Sequence, residues 1–232
     1  MKNNYFKNLQ TLREKIKKYE STSSKDISSL LRIRKKFQKN YEKMQSELCK
    51  IDDLKDWKYK NGEILHKSGQ FFRVKGVKVK NSLREVKDWE QIIFTQPHGG
   101  ILALLARETK TAGIEFLLCL RSEPGDQNVK FCPSFSATKS NMNRAHGGKR
   151  TELYNLIIKQ QGSRIIAKSA HNEEGARFWR KRNENWIVFL KDNKNKSLNK
   201  KHFVWANIWQ IKKLCLEDCV INPFVKCILF MI

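Results

Sequence analysis

Two apolar runs, Ile101–Arg107 and Ile114–Leu120, constrain this chain most; a short link containing Gly113 separates them. Apolar runs of this length, rich in Ile and Leu and ended by turn residues, read as strands. Other strand candidates surround them. Glu63–His66 and Gln70–Val77 flank a Lys67-Ser68-Gly69 turn, and Trp89–Thr95 ends at Gln96-Pro97-His98-Gly99-Gly100. Arg164–Lys168 and Trp186–Leu190 come later in the chain. Closely spaced strands around Gly-rich turns imply an antiparallel or mixed sheet. The second apolar run leads into Cys119–Lys149, a stretch crowded with small, polar and basic side chains. Loops on a rigid scaffold are where binding and catalytic groups concentrate. Glu123-Pro124-Gly125-Asp126 within it is equally an ordinary solvated turn.

Helices are expected around the sheet. Tyr5, Phe6, Leu9, Leu12 and Ile16 fall near helical spacing over residues 1–20, and Ser21–Ser24 breaks the pattern. Asp26 can cap a second helix from about Ile27 to Leu48. Residues 1–53 therefore read as an N-terminal helical segment for packing or subunit pairing, and 54–232 as the main module. Thr151–Gln161 fits a short helix, Phe203–Leu216 an amphipathic one, and residues 191–201 a Lys/Asn-rich loop.

Composition narrows the function classes. A chain of 232 residues that is 40% hydrophobic permits a real core. No apolar run approaches the roughly 20 residues that span a bilayer. Met-Lys-Asn-Asn-Tyr-Phe at the start lacks a signal peptide's apolar stretch, so a cytoplasmic protein with reduced cysteines is expected. Cys215 and Cys219 form C-x-x-x-C with no second pair, and His202 does not complete a zinc pattern, so no metal is expected. The net charge of +24 suggests an anionic partner. Phe178-Trp179-Arg180-Lys181-Arg182 interleaves aromatic and basic residues as a single-strand platform would. No nucleic-acid motif accompanies it, which makes nucleic acid the weakest reading.

Taken in order, several short motifs resemble the NDP-hexose 2,3-dehydratase family. The first is Trp57, Gly62, Ile64, His66, Ser68-Gly69 and Phe71-Phe72. Gln96-Pro97 with Gly100-Ile101-Leu102 is the next. Glu123-Pro124-Gly125, Asn128, Pro133, Ala137-Thr138, Ser140-Asn141 and His146-Gly147 form the central one. Glu173, Gly175, Phe178, Lys181-Arg182-Asn183, Asn185, Phe203 and Trp205 complete the pattern, over roughly residues 54–232. The chain departs from the family at Cys119-Leu120-Arg121, His98, Ser136, Met142, Phe224 and Lys226.

The resemblance implies an α+β, Nudix-like mixed sheet with flanking helices, here behind an N-terminal helical segment. It implies a lyase that eliminates water across C2–C3 of a dTDP-4-keto-6-deoxyhexose in deoxysugar biosynthesis. No cofactor is implied, because the substrate already holds the ketone. For proton transfer it points to His66, Glu123 and His146. For the nucleotide sugar it points to Gln96, Arg121, Asn128, Lys139, Ser140, Asn141, Arg177 and Lys181. Family members usually carry two such modules, so a chain with one implies a homodimer. The departures leave a non-catalytic nucleotide-sugar-binding or regulatory subunit as the alternative.

Overall fold

A computed structural model describes residues 2–232, except 81–82, 84, 97, 145–146, 148, 174, 176, 192–197 and 199. Two helices open the chain, α1 (Lys2–Lys18) and α2 (Ser28–Asn40). A meander comes next: β1 (Trp57–Lys60), β2 (Glu63–His66), β3 (Arg73–Lys80) and β4 (Asp88–Thr95), paired in that order as a four-stranded antiparallel sheet. The larger sheet contains β5 (Gly100–Thr109), β6 (Gly113–Arg121), β7 (Lys130–Pro133) and β8 (Phe135–Thr138). After the short helices α3 (Lys139–Met142) and α4 (Tyr154–Ile157) it gains β9 (Ser163–Asn172), β10 (Arg182–Leu190) and β11 (Phe203–Asn207). Helices α5 (Ile208–Leu214) and α6 (Pro223–Leu229) close the chain. The architecture is α+β, with flanking helices and a mixed larger sheet.

The two apolar runs become the centre of that sheet, whose order is β11-β6-β5-β10-β9 with β5 parallel to β10. Both faces are covered, which explains why β5 and β6 do not alternate. Leu102, Leu104, Phe116, Leu118 and Leu120 pack on one side with Leu12 of α1, Leu30 of α2, Ile211 of α5 and Ile228 of α6. Ala103, Leu105 and Leu117 pack on the other with Phe135, Leu156, Val188 and Phe203.

One irregularity of the larger sheet shapes the pocket beside it. Strands β5 and β6 pair directly only from Ala106–Phe116 to their shared turn. Beyond that they part, and the chain 130–138 fills the wedge: β7 pairs with β6 and β8 with β5. Ser134 sits at the apex. Its hydroxyl accepts from the Leu105 amide at 2.8 Å and donates to the Ala103 carbonyl at 3.1 Å. The side chain thus satisfies backbone groups of β5 where the ladder splits.

The small sheet is tied on through Phe94. Phe94 of β4 bridges to Phe178, with Phe94 N–H donating to Arg177 O at 3.0 Å and Trp179 N–H to Phe94 O at 2.7 Å. Phe72 stacks edge-on against both Phe94 and Phe178.

Three local expectations are corrected. Helix α2 stops at Asn40 rather than near Leu48, and residues 42–50 are extended without regular structure. Phe203–Asn207 is strand β11, not the start of a helix. Its Phe and Val are β-formers recruited to the sheet edge, and helix α5 begins only at the Asn207–Gln210 capping box. The stretch Cys119–Lys149, read as a polar loop, instead supplies β7 and β8.

Candidate active site

The sequence-predicted residues fall into separate places. His66 ends β2 in the small sheet, edge-on to Trp57 and Phe71. Its Nδ1 accepts from the Ser68 amide at 3.2 Å, which directs Nε2 toward Asp56, 3.9 Å away. His146 lies outside the described residues. Lys139, Ser140 and Asn141 form the start of α3, where Thr138 caps by accepting from the Asn141 amide. That cap neighbours the start of β5, since Thr138 pairs with Gly100. Gln96 is half-buried just before that start.

Lys181 and Asn183 meet Glu173 at the open ends of β9 and β10. Lys181 Nζ is 3.3 Å from Glu173 Oε2, and the Asn183 amide donates to the same oxygen. Asn183 Oδ1 then accepts from the Gly100 amide at 2.8 Å. A Cβ on Gly99 would stand 1.6 Å from Arg182 O, so only glycine fits this crossing. This buried network joins β5, β9 and β10. Arg177 takes part through its backbone, in the bridge to β4.

Arg121 and Glu123 lie together at the end of β6, and Asn128 follows shortly before β7. Arg121 Nη2 is 3.0 Å from Glu123 Oε1, and Asn128 Oδ1 accepts from Gln38 of α2 at 2.7 Å. Arg121 also faces a pocket of about 300 Å³ beside the wedge. Cys119, Ser136 and the buried rings Phe135 and Phe203 line it, and Phe37 and Glu42 come from α2 and the residues after it. The Nε of Arg121 is buried there and has no hydrogen-bond partner among the described residues. Burial works against its charge, but neighbouring Glu123 and the cysteine sulfurs outweigh that and hold its pKa above the ordinary value.

Two residues absent from the sequence-based candidates complete this pocket. His202 Nε2 and Glu152 Oε2 are 2.7 Å apart, and Lys200 Nζ is 2.5 Å from Glu152 Oε1. Burial pushes the Glu152 carboxyl up, but hydrogen bonds from Lys200 and His202 overcome it and hold it below the ordinary glutamate value. An ionised carboxylate only accepts, so Nε2 of His202 carries the proton and Nδ1 of a neutral ring holds the lone pair. The backbone places both residues. The His202 carbonyl accepts from Leu120 N–H at 2.7 Å, extending the β6–β11 ladder. Leu153, next to Glu152, adopts φ +61°, a left-handed conformation rare for a bulky residue. Its side chain is buried in the core, which holds that strained turn in place.

Burial pushes the thiol of Cys119 up to about 12 and that of Cys132 up to about 11. Neither is a thiolate nucleophile at neutral pH. Among the described residues no group of three or more His, Cys, Asp or Glu could hold a metal ion. The chemistry on offer is a carboxylate-oriented imidazole, a guanidinium facing the same small volume, and hydroxyls around them. The departures Cys119 and Ser136 both line this pocket.

Fold and pocket together define a class: an α+β module with a small pocket that gathers an imidazole, a carboxylate and a guanidinium. The family model for NDP-hexose 2,3-dehydratase matches residues 31–232, and the chain belongs to that family. It is 33% identical over 178 residues to a dTDP-4-dehydro-6-deoxy-alpha-D-glucopyranose 2,3-dehydratase of Amycolatopsis orientalis, covering 73% of this chain and 37% of that one. It is 28% identical over 182 residues to the protein of the same name from Saccharopolyspora spinosa, covering 77% and 37%. The chain therefore spans little more than a third of the length of these curated relatives.

Proposed function

We propose that this chain is a nucleotide-sugar dehydratase module acting on a dTDP-4-keto-6-deoxyhexose, eliminating water across C2–C3 in deoxysugar biosynthesis. The observation that carries this is the pocket where His202, Glu152 and Arg121 converge. The 4-ketone acidifies the hydrogen on C3. His202 Nδ1 takes that proton, and Glu152 stabilises the resulting imidazolium as the partner carboxylate of a dyad does. Electrons move to the C4 oxygen, where the Arg121 guanidinium offers donors to the enolate. The C2 hydroxyl then leaves, and the imidazolium returns its proton to it, releasing water. The enol formed across C2–C3 takes up a proton at C2, giving a 2-deoxy-3,4-diketo sugar. No redox cofactor is needed, because the substrate already carries the ketone.

His66, Glu123 and His146 stand as the alternative acid–base set, compared with His202 and Glu152 by substitution. Gln96, Lys139, Ser140, Asn141, Arg177 and Lys181 stay proposed as nucleotide-sugar contacts, each read by alanine substitution in a binding assay. The test is incubation with dTDP-4-keto-6-deoxyglucose and a 3-ketoreductase trap, followed by mass spectrometry for loss of water. His202→Ala and Glu152→Gln each lower turnover by about 10²–10⁴-fold, the usual range for general acid–base groups. Binding of the nucleotide sugar with no water loss in the wild-type chain would support a regulatory binder instead.

A homodimer is proposed as well, the second copy supplying the second module of the family pattern; sedimentation as a monomer at micromolar concentration would count against it. A cytoplasmic setting is proposed as well, as expected of an enzyme of sugar biosynthesis. Among the described residues no helix is long and apolar enough to cross a membrane.

A further inference from the structure

We infer that the groove between α2 and the edge strand β11 is the subsite for the nucleoside diphosphate end of the ligand, with Lys200 and Lys201 as its phosphate contacts. This rests on the functional reading above. A cavity of about 640 Å³ lies there, walled by Ser29, Leu30 and Ile33 of α2, by Thr111 of the β5–β6 turn, and by Trp205 of β11. It adjoins the smaller pocket. Phe203 lines both, and Lys200, on the wall of the groove, bonds Glu152 inside the smaller one at 2.5 Å. Residues of α2 and β11 line both cavities, Leu30 and Ile33 in the larger and Phe37 in the smaller, with Phe203 in each.

The chemistry differs along the two cavities. At the far end are hydroxyls and backbone groups suited to the edges of a heteroaromatic base and a sugar. The ladder with β6 uses the His202 carbonyl. The Phe203 amide donates to Lys200 O at 3.0 Å, and antiparallel alternation turns the Phe203 carbonyl and the Trp205 backbone groups away from β6. At the junction sit two exposed lysines in succession. Lys201 rests 4.5 Å over the Tyr41 ring, which holds its stem beside the groove. At the near end are Arg121, His202 and Glu152. A ligand laid along β11 would meet base-recognising groups, then cations, then proton-transfer groups, in the order of a nucleotide sugar.

The other large cavity lacks this sequence of groups. The groove between α1, α5 and α6, about 620 Å³, is walled by apolar side chains such as Ile16, Ile208, Ile211 and Leu229 together with Arg13, Lys17, Lys212 and Lys226. None of the described residues lining it carries a hydroxyl for a base or a sugar.

Lys200 has a second consequence. A phosphate that takes Lys200 Nζ draws it from Glu152, removing one of the two hydrogen bonds that hold the carboxyl low. Occupancy of the groove then leaves the Glu152 carboxylate bonded to His202 alone.

Calorimetry with dTDP, which lacks the hexose, tests the subsite. The exposed Ser29→Trp fills the groove, and Lys201→Glu reverses one cation; each weakens dTDP binding at least tenfold. Glu152→Gln, which frees Lys200 for the phosphate, tightens dTDP binding or leaves it intact while losing turnover. Unchanged dTDP binding in both groove variants, with binding lost in Arg121→Met, would place the nucleotide in the smaller pocket and overturn the inference while leaving the dehydratase reading intact. A wild-type chain that binds neither dTDP nor dTDP-4-keto-6-deoxyglucose overturns both. Circular dichroism of each variant separates lost binding from lost fold. If Ser29→Trp misfolds, Thr111→Trp at the opposite wall takes its place, with the same expected loss.

Discussion

Ser134→Ala tests whether the wedge that opens the pocket is held as described. The hydroxyl satisfies the Leu105 amide and the Ala103 carbonyl in a site where Ser134 is only 6% exposed. Alanine leaves both groups without that partner, and no water reaches them easily. A buried backbone group left unpaired costs about 1–3 kcal/mol, so two of them, with slight relaxation of β8, cost about 2–4 kcal/mol. For a chain of this length each kcal/mol moves the melting temperature by about 2–4 °C, giving a fall of roughly 5–15 °C. Urea titration followed by far-UV circular dichroism and tryptophan fluorescence measures it, with exposed Ser29→Ala as a control that changes stability by less than about 0.5 kcal/mol. A loss at Ser134 below about 1 kcal/mol, the lower bound for one such group, would refute the claim that this hydroxyl closes the split ladder.

The same geometry sets other expectations. Gly99→Ala must displace the backbone of β10 at Arg182, costing about 1–3 kcal/mol or more, and thermal melting reads it. Because the folded carboxyl of Glu152 lies below its ordinary value of 4.5, its pairing stabilises the fold above that value and is lost as pH falls through the folded pKa. Glu152→Gln should therefore flatten the acid limb of the stability–pH curve, and an unchanged limb would contradict the pairing. Native alkylation should modify Cys49, Cys215 and Cys219, which are exposed. Cys119 and Cys132, held protonated by burial, should react only after denaturation; peptide mass mapping distinguishes the two groups.

Much of the scaffold is legible in local pattern. The runs around Gly113 announce β5 and β6, and the aromatic and Gly-bounded segments announce the small meander. Local pattern fails where distant chain decides the outcome. Phe203–Asn207 shares helical spacing with the residues of α5, yet β6 offers it a ladder, and hydrogen bonds at a sheet edge override weak helical preference. Residues 130–138 carry Ser and Thr and read as loop, yet the parting of β5 and β6 leaves two strands' worth of backbone groups to satisfy.

The site is legible only in part. Arg121 stands out as a cation at the end of an apolar strand. Glu152 is hidden inside an apparent helix, 50 positions from the histidine it meets, and no local spacing encodes that meeting. A usable signal does exist for His202, since it immediately precedes the Phe203–Trp205 motif that resembles the family. Its spacing from Cys215 and Cys219 completes no zinc pattern, and its place is at the mouth of a strand.

The most direct measurement uses a dTDP-4-keto-6-deoxyhexose carrying deuterium at C3, with release of that deuterium to solvent followed by NMR under single-turnover conditions. The wild-type chain should release it together with loss of the C2 hydroxyl. His202→Ala should hold it on the sugar, with dTDP still bound, and His66→Ala should release it at the wild-type rate. Release undiminished in His202→Ala and Glu152→Gln, with arrest in His66→Ala, would contradict the assignment and move the proton-transfer site to the small sheet.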